Sequence, residues 1–223
     1  MPFIKLIRIA KSYSDGENGR NEVLRGLNME LEAGSFTAVM GSSGAGKTTL
    51  LSILGLLLLP ERGDYIFDGK PLPASETERA GLRNRKIGFV FQEHRLLPQY
   101  TALDNILLPV LAAQKRADAS QTAYARRLME LAGIAALENK YPHTLSGGES
   151  GRTALCRALV MKPALLLADE PTGQLDAANA RSIAALLRKV NDELNTSILM
   201  VTHSAETASV AHSIRTLENG ILS

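Results

Sequence analysis

The chain has 223 residues, of which 45% are hydrophobic and 22% are charged, a composition typical of a globular protein that buries a full core. Its 25 basic and 23 acidic side chains leave a formal net charge of +2, which is too balanced for the basic footprint of a nucleic-acid-binding protein. Cys156 is the only cysteine, so an intrachain disulfide is excluded, and we expect an inert core thiol in a reducing compartment.

Neither a signal peptide nor a membrane span is expected. The N-terminus is interrupted by Lys5 and Arg8 before a signal peptide's apolar run can form. The longest apolar run, residues 50–59 broken by Ser52 and Gly55, is about half of the ~20 residues that a spanning helix requires. We therefore expect that the chain does not cross a membrane by itself.

The N-terminal part predicts a small antiparallel sheet. Residues 3–9 and 23–31 have the composition of strands, and a polar, glycine-containing turn over residues 14–20 separates them. Tyr13 follows the first strand. Its ring either stacks on a nucleotide base, a contact of about 1 kcal/mol, or is a half-buried residue at a strand end.

The next stretch fits the pattern G-x-x-x-x-G-K-[ST] between a strand-like run, residues 35–40, and a helix-like run, residues 48–56. This context predicts a phosphate-binding P-loop whose glycines let successive N–H groups turn toward an anion. Lys47 would reach the β- and γ-phosphates, and the Thr48 hydroxyl would bind Mg²⁺. The nucleotide-binding residues predicted here are Gly41, Ser42, Ser43, Gly44, Ala45, Gly46, Lys47, Thr48 and Thr49.

Further along, residues 60–64 predict a turn and residues 65–70 a strand with an Asp-Gly turn. Residues 87–91 predict a buried strand, and Gln92 follows it at the edge where open α/β sheets bind ligands. From residue 93 the spacing becomes helical, with helices over residues 103–113 and 122–131 near Pro98 and Pro109. We expect a helical subdomain inserted at residues 93–146.

The run Leu145-Ser146-Gly147-Gly148-Glu149 has two interpretations. Ser146 and Glu149 are spaced as a capping box, with Ser146 at the N-cap of a helix. Two glycines are poorly explained by capping alone, since each costs a helix about 1 kcal/mol relative to alanine. They expose backbone N–H groups at a helix N-terminus, which indicates a second anion site.

Two later strands also end in polar side chains. Residues 164–168 form an apolar strand that ends in Asp169 and Glu170, where Asp169 would hold Mg²⁺ through water and Glu170 would activate the attacking water. Asp176 lies in a loop and would also serve as N-cap for a helix over residues 177–190. Residues 197–202 form another buried strand before His203, which would contact the transferred phosphoryl group. Asn219 and Gly220 predict a closing hairpin.

Taken in order, these motifs resemble the nucleotide-binding subunit of an ABC transporter, and the resemblance covers essentially the whole chain. It rests on Tyr13, the P-loop Gly41 to Thr48, Gln92, the signature run 145–149, Asp169, Glu170, Asp176 and His203. It implies an α/β P-loop NTPase core with a mainly parallel sheet flanked by helices, an N-terminal antiparallel β subdomain and an inserted helical subdomain. The core would comprise residues 1–92 and 147–223 of a single domain.

The resemblance also implies the role of each site residue. Tyr13 stacks on adenine, Gln92 senses Mg²⁺ and the membrane partner, and His203 contacts the γ-phosphate. The metal ligands are Thr48, Gln92 and Asp169, and the catalytic residues are Lys47, Glu170 and His203. Ser146, Gly147 and Gly148 contact ATP bound by a second copy, so that a homodimer with two-fold symmetry encloses two molecules of ATP.

Residues 98–109 and 168–173 resemble the lipoprotein-release and macrolide-export (LolD/MacB) type. This implies a peripheral subunit on the cytoplasmic side of the inner or plasma membrane that drives an integral-membrane permease of FtsX/MacB-like type. The permease would export or extract a lipophilic substrate such as a lipoprotein, lipid, peptide or drug, which this subunit would not contact. The pair Ser150-Gly151 departs from the family's usual Gln-Gln or Lys-Gln, and we expect Gly151 to loosen the first turn of the signature helix.

Two other classes are less consistent with the sequence. A non-transport ABC ATPase of DNA repair would carry a long coiled coil, and one of translation would carry two tandem cassettes, and neither pattern is present. A small-molecule P-loop kinase would use residues 41–48 and Asp169 but would leave the signature run 145–149 without a function.

Overall fold

The computed structural model describes residues 2–15 and 19–223, so the predicted turn over residues 14–20 lies partly outside the described residues. The strands are β1 (Ile4–Asp15), β2 (Gly19–Leu31), β3 (Phe36–Met40), β4 (Arg62–Phe67), β5 (Lys70–Pro71), β6 (Ile87–Val90), β7 (Leu165–Asp169), β8 (Ser197–Val201), β9 (Ser213–Glu218) and β10 (Ile221–Leu222). The helices are α1 (Lys47–Leu54), α2 (Glu76–Lys86), α3 (Ala102–Ala113), α4 (Ala119–Leu131), α5 (Gly147–Leu159), α6 (Ala177–Leu194) and α7 (Ala205–Ala208).

The strands form two sheets. A four-stranded antiparallel sheet has the order β2-β1-β4-β5, and a six-stranded sheet has the order β10-β9-β3-β8-β7-β6. In the second sheet every pair is parallel except β9 with β10, which form the hairpin predicted at Asn219 and Gly220. This is the predicted α/β fold. Strands β1 and β2 extend beyond the predicted bounds, because polar residues at their outer ends continue the pairing, as Tyr13 does with Asn21.

Both faces of the six-stranded sheet are buried. Alternate residues of β3, β7 and β8, such as Val39, Leu167 and Val201, pack with α1 and the antiparallel sheet. The residues between them, such as Ala168 and Met200, pack with helices α3 to α6. Burial on two faces explains why these strands are continuous apolar runs in the sequence.

Between β6 and β7, where every residue is described, the chain forms only helices and turns. The two helices predicted there are α3 and α4, and Pro109 lies inside α3. Asn105 is fully buried, and its side chain accepts a hydrogen bond from the Leu97 N–H and donates to the carbonyls of Leu97, Tyr100 and Thr101. These bonds hold the loop before α3 in a fixed shape.

Helix α2 is absent from the sequence-based prediction. Its eleven residues carry almost no apolar periodicity, and the only buried member is Arg79. The available signal is at its start, where the Ser75 Oγ accepts from the Glu78 N–H and donates to the Glu78 carboxylate at 2.7 Å. Such a capping pair, followed by basic residues in the last turn, indicates a helix even when the apolar pattern is missing.

The predicted core thiol is confirmed. Cys156 is buried in α5, where its Sγ contacts the Leu128 carbonyl oxygen at 3.3 Å, and burial raises the pKa of the thiol to about 12. Helix α5 runs without interruption through Gly151, so the loosening expected there does not break the helix. Across residues 2–15 and 19–223, no helix is long and apolar enough to span a membrane.

Candidate functional site

A cavity of about 780 Å³ lies at the carboxyl edge of the six-stranded sheet. The carboxyl ends of the parallel strands β3, β8, β7 and β6 meet there, which brings together residues that are far apart in the sequence. The lining residues are Val23, Ser43, Gly44, Gly46, Lys47, Thr48, Thr49, Gln92, Asp169, Glu170 and His203. All of them except Val23 are among the predicted site residues.

The loop between β3 and α1 forms one wall of the cavity. Gly44 and Gly46 have φ angles of 80° and 102°, in the left-handed region that side chains with a Cβ rarely adopt. Gly46 is the N-cap of α1 and makes no side-chain cap, so the first N–H groups of the helix are left for an external acceptor. The loop is therefore built to bind an anion at a helix N-terminus.

Lys47 lies across this loop. Its ammonium group donates to the carbonyl oxygens of Gly41 at 2.7 Å and Ser42 at 3.0 Å, while the Ala45 N–H donates to Ser42 at 3.3 Å. An ammonium has three donors, so one remains after these two bonds. The lysine is thus held beside the helix N-terminus with a donor available for a phosphate oxygen.

Oxygen ligands for a hard cation also line the cavity. The Asp169 carboxylate, the Thr48 hydroxyl and the Gln92 amide all border the cavity. Burial is the main reason that the pKa of Asp169 is raised, and the negative charge of Glu170 raises it further, against smaller opposing effects of Thr48, Lys47 and Arg95. A carboxylate whose charge is disfavoured by its surroundings gains most from a bound cation, so the residues present fit Mg²⁺.

Glu170 and His203 form a pair at the ends of β7 and β8. The His203 Nδ1 lies 3.0 Å from the Glu170 Oε2, and the His203 backbone N–H donates to the same oxygen at 3.3 Å. Neither contact uses Oε1. Glu170 has a positive φ of 43°, which is unusual for a residue with a side chain and marks a position held by its surroundings.

Tyr13 approaches the cavity from the antiparallel sheet but does not line it. Its hydroxyl lies 3.4 Å from the Thr49 Oγ1, and 44% of the residue is exposed. The ring is therefore accessible to a planar group bound next to α1, although both interpretations of this residue stay open.

The signature run lies at the start of α5 and lines no part of this cavity. The Ser146 Oγ accepts from the Glu149 N–H at 3.3 Å, and the Glu149 carboxylate accepts from the Ser146 N–H at 2.7 Å, so the predicted capping box is present. Ser146 and Gly147 are exposed, whereas Gly148 is buried. Asp176 likewise stands outside the cavity and caps α6 through the Asn179 N–H at 2.9 Å.

Two residues near the site were not predicted from the sequence. Val23 packs against Gly46, where its side chain would lie 3.0 Å from an added Cβ. Asn179 packs on Gly148 so closely that a Cβ there would overlap its Oδ1, and its Nδ2 donates to the Asp176 carboxylate at 2.7 Å. Both contacts join distant parts of the chain, and no local pattern indicates them.

Comparison with known proteins supports the family resemblance that the sequence motifs indicate. The family model described as "ABC transporter" matches residues 24–173. The lipoprotein-releasing system ATP-binding protein LolD of Bordetella pertussis is 44% identical over 222 residues, which cover 99% of this chain and 95% of that protein. The macrolide export ATP-binding/permease protein MacB of Rhodopirellula baltica is 42% identical over 98% of this chain, which spans 32% of that longer protein.

Solved structures show the same fold. A dimeric, post-hydrolysis structure of the ATP-binding cassette MJ0796 bound to ADP and Pi superposes with a TM-score of 0.88 at 34% identity, covering 98% of this chain and 96% of that one. The cbiO1 subunit from Clostridium perfringens, part of the ABC transporter complex cbiONQ, also gives 0.88 at 29% identity, covering 100% and 87%.

Proposed function

The chain belongs to the ABC transporter family as an ATP-hydrolysing subunit of LolD/MacB type, and from that premise we propose that two copies bind Mg-ATP between them and drive a membrane permease. The observation that carries the proposal is the cavity, which collects the ends of four parallel strands and the N-terminus of α1 around one space. The dimensions and donors of this space suit a nucleoside triphosphate.

The predicted site residues have distinct roles in this proposal. The N–H groups at the start of α1 and the Lys47 ammonium bind the phosphates, and Tyr13 stacks on the base. Thr48, Gln92 and Asp169 would hold Mg²⁺, and the charge of this cation would neutralise the phosphate oxygens.

Glu170 is the candidate general base. The two contacts of His203 fix its Oε2, and the free Oε1 is left to accept a proton from the attacking water. The His203 side chain is 72% exposed, so it is also accessible to the γ-phosphate. His203 thus orients the base and contacts the transferred group.

The exposure of Ser146 and Gly147 in the signature run supports the two-fold assembly. The cavity is partly open to solvent, while Ser146 and Gly147 are exposed elsewhere on the same chain. A symmetric dimer would let the Ser146 to Gly148 segment of each copy close the site of the other. We place two ATP molecules at this interface.

Light scattering on the purified chain tests the assembly. Glu170→Gln keeps the contact geometry but removes the base, so the variant should bind ATP without cleaving it and should accumulate as a dimer. Its mass should double with Mg-ATP and remain that of a monomer with ADP. Adding Ser146→Arg should restore the monomer by steric and charge obstruction.

A matched control is Glu170→Gln combined with Ser75→Arg, since Ser75 caps α2 in a similar way, away from the signature run. This double variant should still dimerise. Hydrolysis at the wild-type rate by Glu170→Gln would contradict the role of the base. A dimer that survives Ser146→Arg would contradict the proposed interface.

We place the permease in a groove of about 550 Å³ between α2, α3 and α5. Leu57, Phe91 and Leu108 contribute apolar surface, and Leu57 is 53% exposed. Among the described residues that line the groove there are three arginines, Arg83, Arg95 and Arg157, and no carboxylate. A short amphipathic segment of a permease with an acidic residue would fit this chemistry.

Leu57→Glu tests this docking site, because it removes exposed apolar surface and repels an acidic segment. Pull-down from solubilised membranes should recover an integral-membrane protein with the wild type and lose it with Leu57→Glu. Ile221→Glu is the control, since Ile221 is 58% exposed on β10 and away from the groove. Equal recovery with both variants would exclude the groove, and recovery of only soluble proteins or nucleic acid would contradict the transporter proposal.

The relatives suggest the remaining details. Residues 93–146 act as the helical subdomain that joins the groove to the signature run, and residues 1–92 and 147–223 act as the catalytic core. The permease is of FtsX/MacB-like type, and it exports or extracts a lipophilic substrate such as a lipoprotein, lipid, peptide or drug. The subunit is peripheral on the cytoplasmic side of the inner or plasma membrane and does not contact the substrate.

A further inference from the structure

The segment that follows Gln92 has an uncommon backbone. His94 and Arg95 both have positive φ angles, 54° and 48°, although neither is a glycine. Such conformations cost about 1 kcal/mol or more each and persist where neighbouring groups hold them. Residues 92–95 therefore need contacts with neighbouring groups that hold this backbone conformation.

Arg157 of α5 holds the segment. Its Nη2 donates to the His94 carbonyl oxygen at 2.6 Å, and its Nη1 donates to the Arg95 carbonyl oxygen at 2.7 Å. The positive φ angles turn these two carbonyls toward one guanidinium, and the planar fork of an arginine matches such a pair. The Arg95 guanidinium covers the Phe91 ring at 4.6 Å and adds a contact within the segment.

The His94 imidazole makes a second contact with α5. A Cβ added at the buried Gly151 would lie 3.3 Å from the His94 Cε1 and 3.5 Å from the Ile183 Cδ1. The glycine therefore leaves the space that the ring occupies. The His94 Nδ1 is buried without a hydrogen-bond partner, although the residue as a whole is half-buried. This contact gives the departure at Gly151 a structural reason.

We infer that His94 and Arg157 are positioning residues, which bind residues 92–95 to α5 so that Gln92 and the signature serine Ser146 take their positions together. Gln92 borders the nucleotide cavity, and Ser146 caps the helix that carries Arg157. The inference rests on the proposed function, because it assigns a supporting role toward the same site. Neither residue touches the nucleotide in this account, so their effect passes through Gln92 and α5.

The first test measures ATP hydrolysis by Arg157→Lys. A lysine keeps the charge but loses the fork, so kcat should fall about fivefold while KM for ATP stays within about twofold, since the loop around Lys47 is intact. The same substitution in a Gln92→Ala background should cause no further fall. Arg126→Lys is the control, because Arg126 pairs with Glu138 on the surface of α4 and should not change kcat.

The second test uses the contact with the ring. Gly151→Ala favours the helix but crowds His94, so thermal stability should stay equal or rise while kcat falls about threefold. In a His94→Ala background, Gly151→Ala should have no effect on kcat. Gly81→Ala in α2 is the control, since a Cβ there meets only the flexible end of Arg85.

The outcomes separate this inference from the proposed function. The inference alone is overturned by one pair of results. In that pair, Gln92→Ala lowers turnover, but Arg157→Lys lowers it by the same factor in the wild type and in the Gln92→Ala background. The same holds if Gly151→Ala lowers kcat equally with and without His94. Unchanged turnover in Gln92→Ala overturns the assigned role of Gln92 and this inference together.

Discussion

The cavity and the signature run both lie at helix N-termini, yet they are built in opposite ways. The cavity is concave, and its residues come from the ends of several strands that the sheet brings together. In the signature run Ser146 and Gly147 are exposed, and a local capping box between Ser146 and Glu149 holds the run. The cavity thus depends on long-range packing, whereas the capping box lies within four consecutive residues.

This difference suggests a division of work between two copies of the chain. The cavity has its own lysine, candidate metal ligands and candidate base, and the signature run offers only hydroxyl and N–H donors. In the proposed dimer the cavity performs the chemistry and the signature run of the other copy closes it.

Lys47→Ala should break the cavity outright. It removes the cation that lies beside the α1 N-terminus, so ATP hydrolysis should fall by at least roughly 10²-fold and ATP binding should weaken strongly. Turnover and nucleotide binding of the purified variant are the measurements. Lys70→Ala, at an exposed position of β5, should behave like the wild type. Equal turnover in Lys47→Ala would remove the loop from the mechanism.

His203→Ala should damage the cavity less. The substitution removes the contact with the Glu170 Oε2 but leaves the base, so turnover should fall by about 10²-fold with ATP affinity nearly unchanged. Steady-state kinetics and a binding assay measure the two effects. His143→Ala is the control, because His143 stacks on Tyr141 instead. A loss of affinity without a loss of turnover would assign His203 to binding only.

Asp169→Asn should raise the stability of the nucleotide-free chain and lower its ATP hydrolysis. Because the pKa of Asp169 is raised in the folded state, the stability that its protonated form contributes is lost as the pH rises through that pKa. The nucleotide-free variant should therefore melt at a higher temperature than the wild type near pH 7, and the difference should vanish below about pH 4.

Hydrolysis by the same variant should nevertheless fall, because the amide is a poorer ligand for Mg²⁺ than the carboxylate. Calorimetry across pH and an ATPase assay give both readouts. Asp64→Asn, at an exposed position of β4, serves as the control for removing one negative charge. If the Asp169→Asn variant melted at a lower temperature than the wild type near pH 7, the prediction that the charged carboxyl group destabilises the folded state would be wrong.

Ser146→Ala should have only a small effect on folding. It therefore tests whether the signature run does more than cap α5. Loss of the cap should cost about 1 kcal/mol of the free energy of unfolding, and Ser75→Ala in α2 should cost a similar amount. Only Ser146→Ala should also lower hydrolysis, because only Ser146 would contact ATP. Chemical unfolding and an ATPase assay make the comparison, and equal losses of hydrolysis would reduce the signature serine to a cap.

Much of the cavity could be predicted from the sequence because its signals are local. The glycine spacing of the P-loop and the polar residue after each buried strand are visible without the fold, and the parallel order then brings them together. Helix α2 could not be found from apolar periodicity, since Arg79 is its only buried residue. The outer ends of β1 and β2 are polar, so the sequence there predicts a turn.

The contacts that shape the signature helix could not be predicted at all. Asn179 on Gly148 and His94 on Gly151 join segments that the fold alone brings together. The sequence shows glycines at these positions and suggests a weakened helix. The structure instead shows space taken by a neighbouring side chain, which is a property of packing and has no local pattern.

The buried thiol of Cys156 makes the chain suitable for site-specific labelling. A buried thiol with its pKa raised to about 12 reacts slowly with maleimides and methanethiosulfonates, since the thiolate is the reactive form. A cysteine introduced at an exposed position such as Lys189 would therefore carry a spin label or fluorophore without background. Pairs of labels in two copies would then report the distance between subunits as nucleotide is added, without any change to the native cysteine.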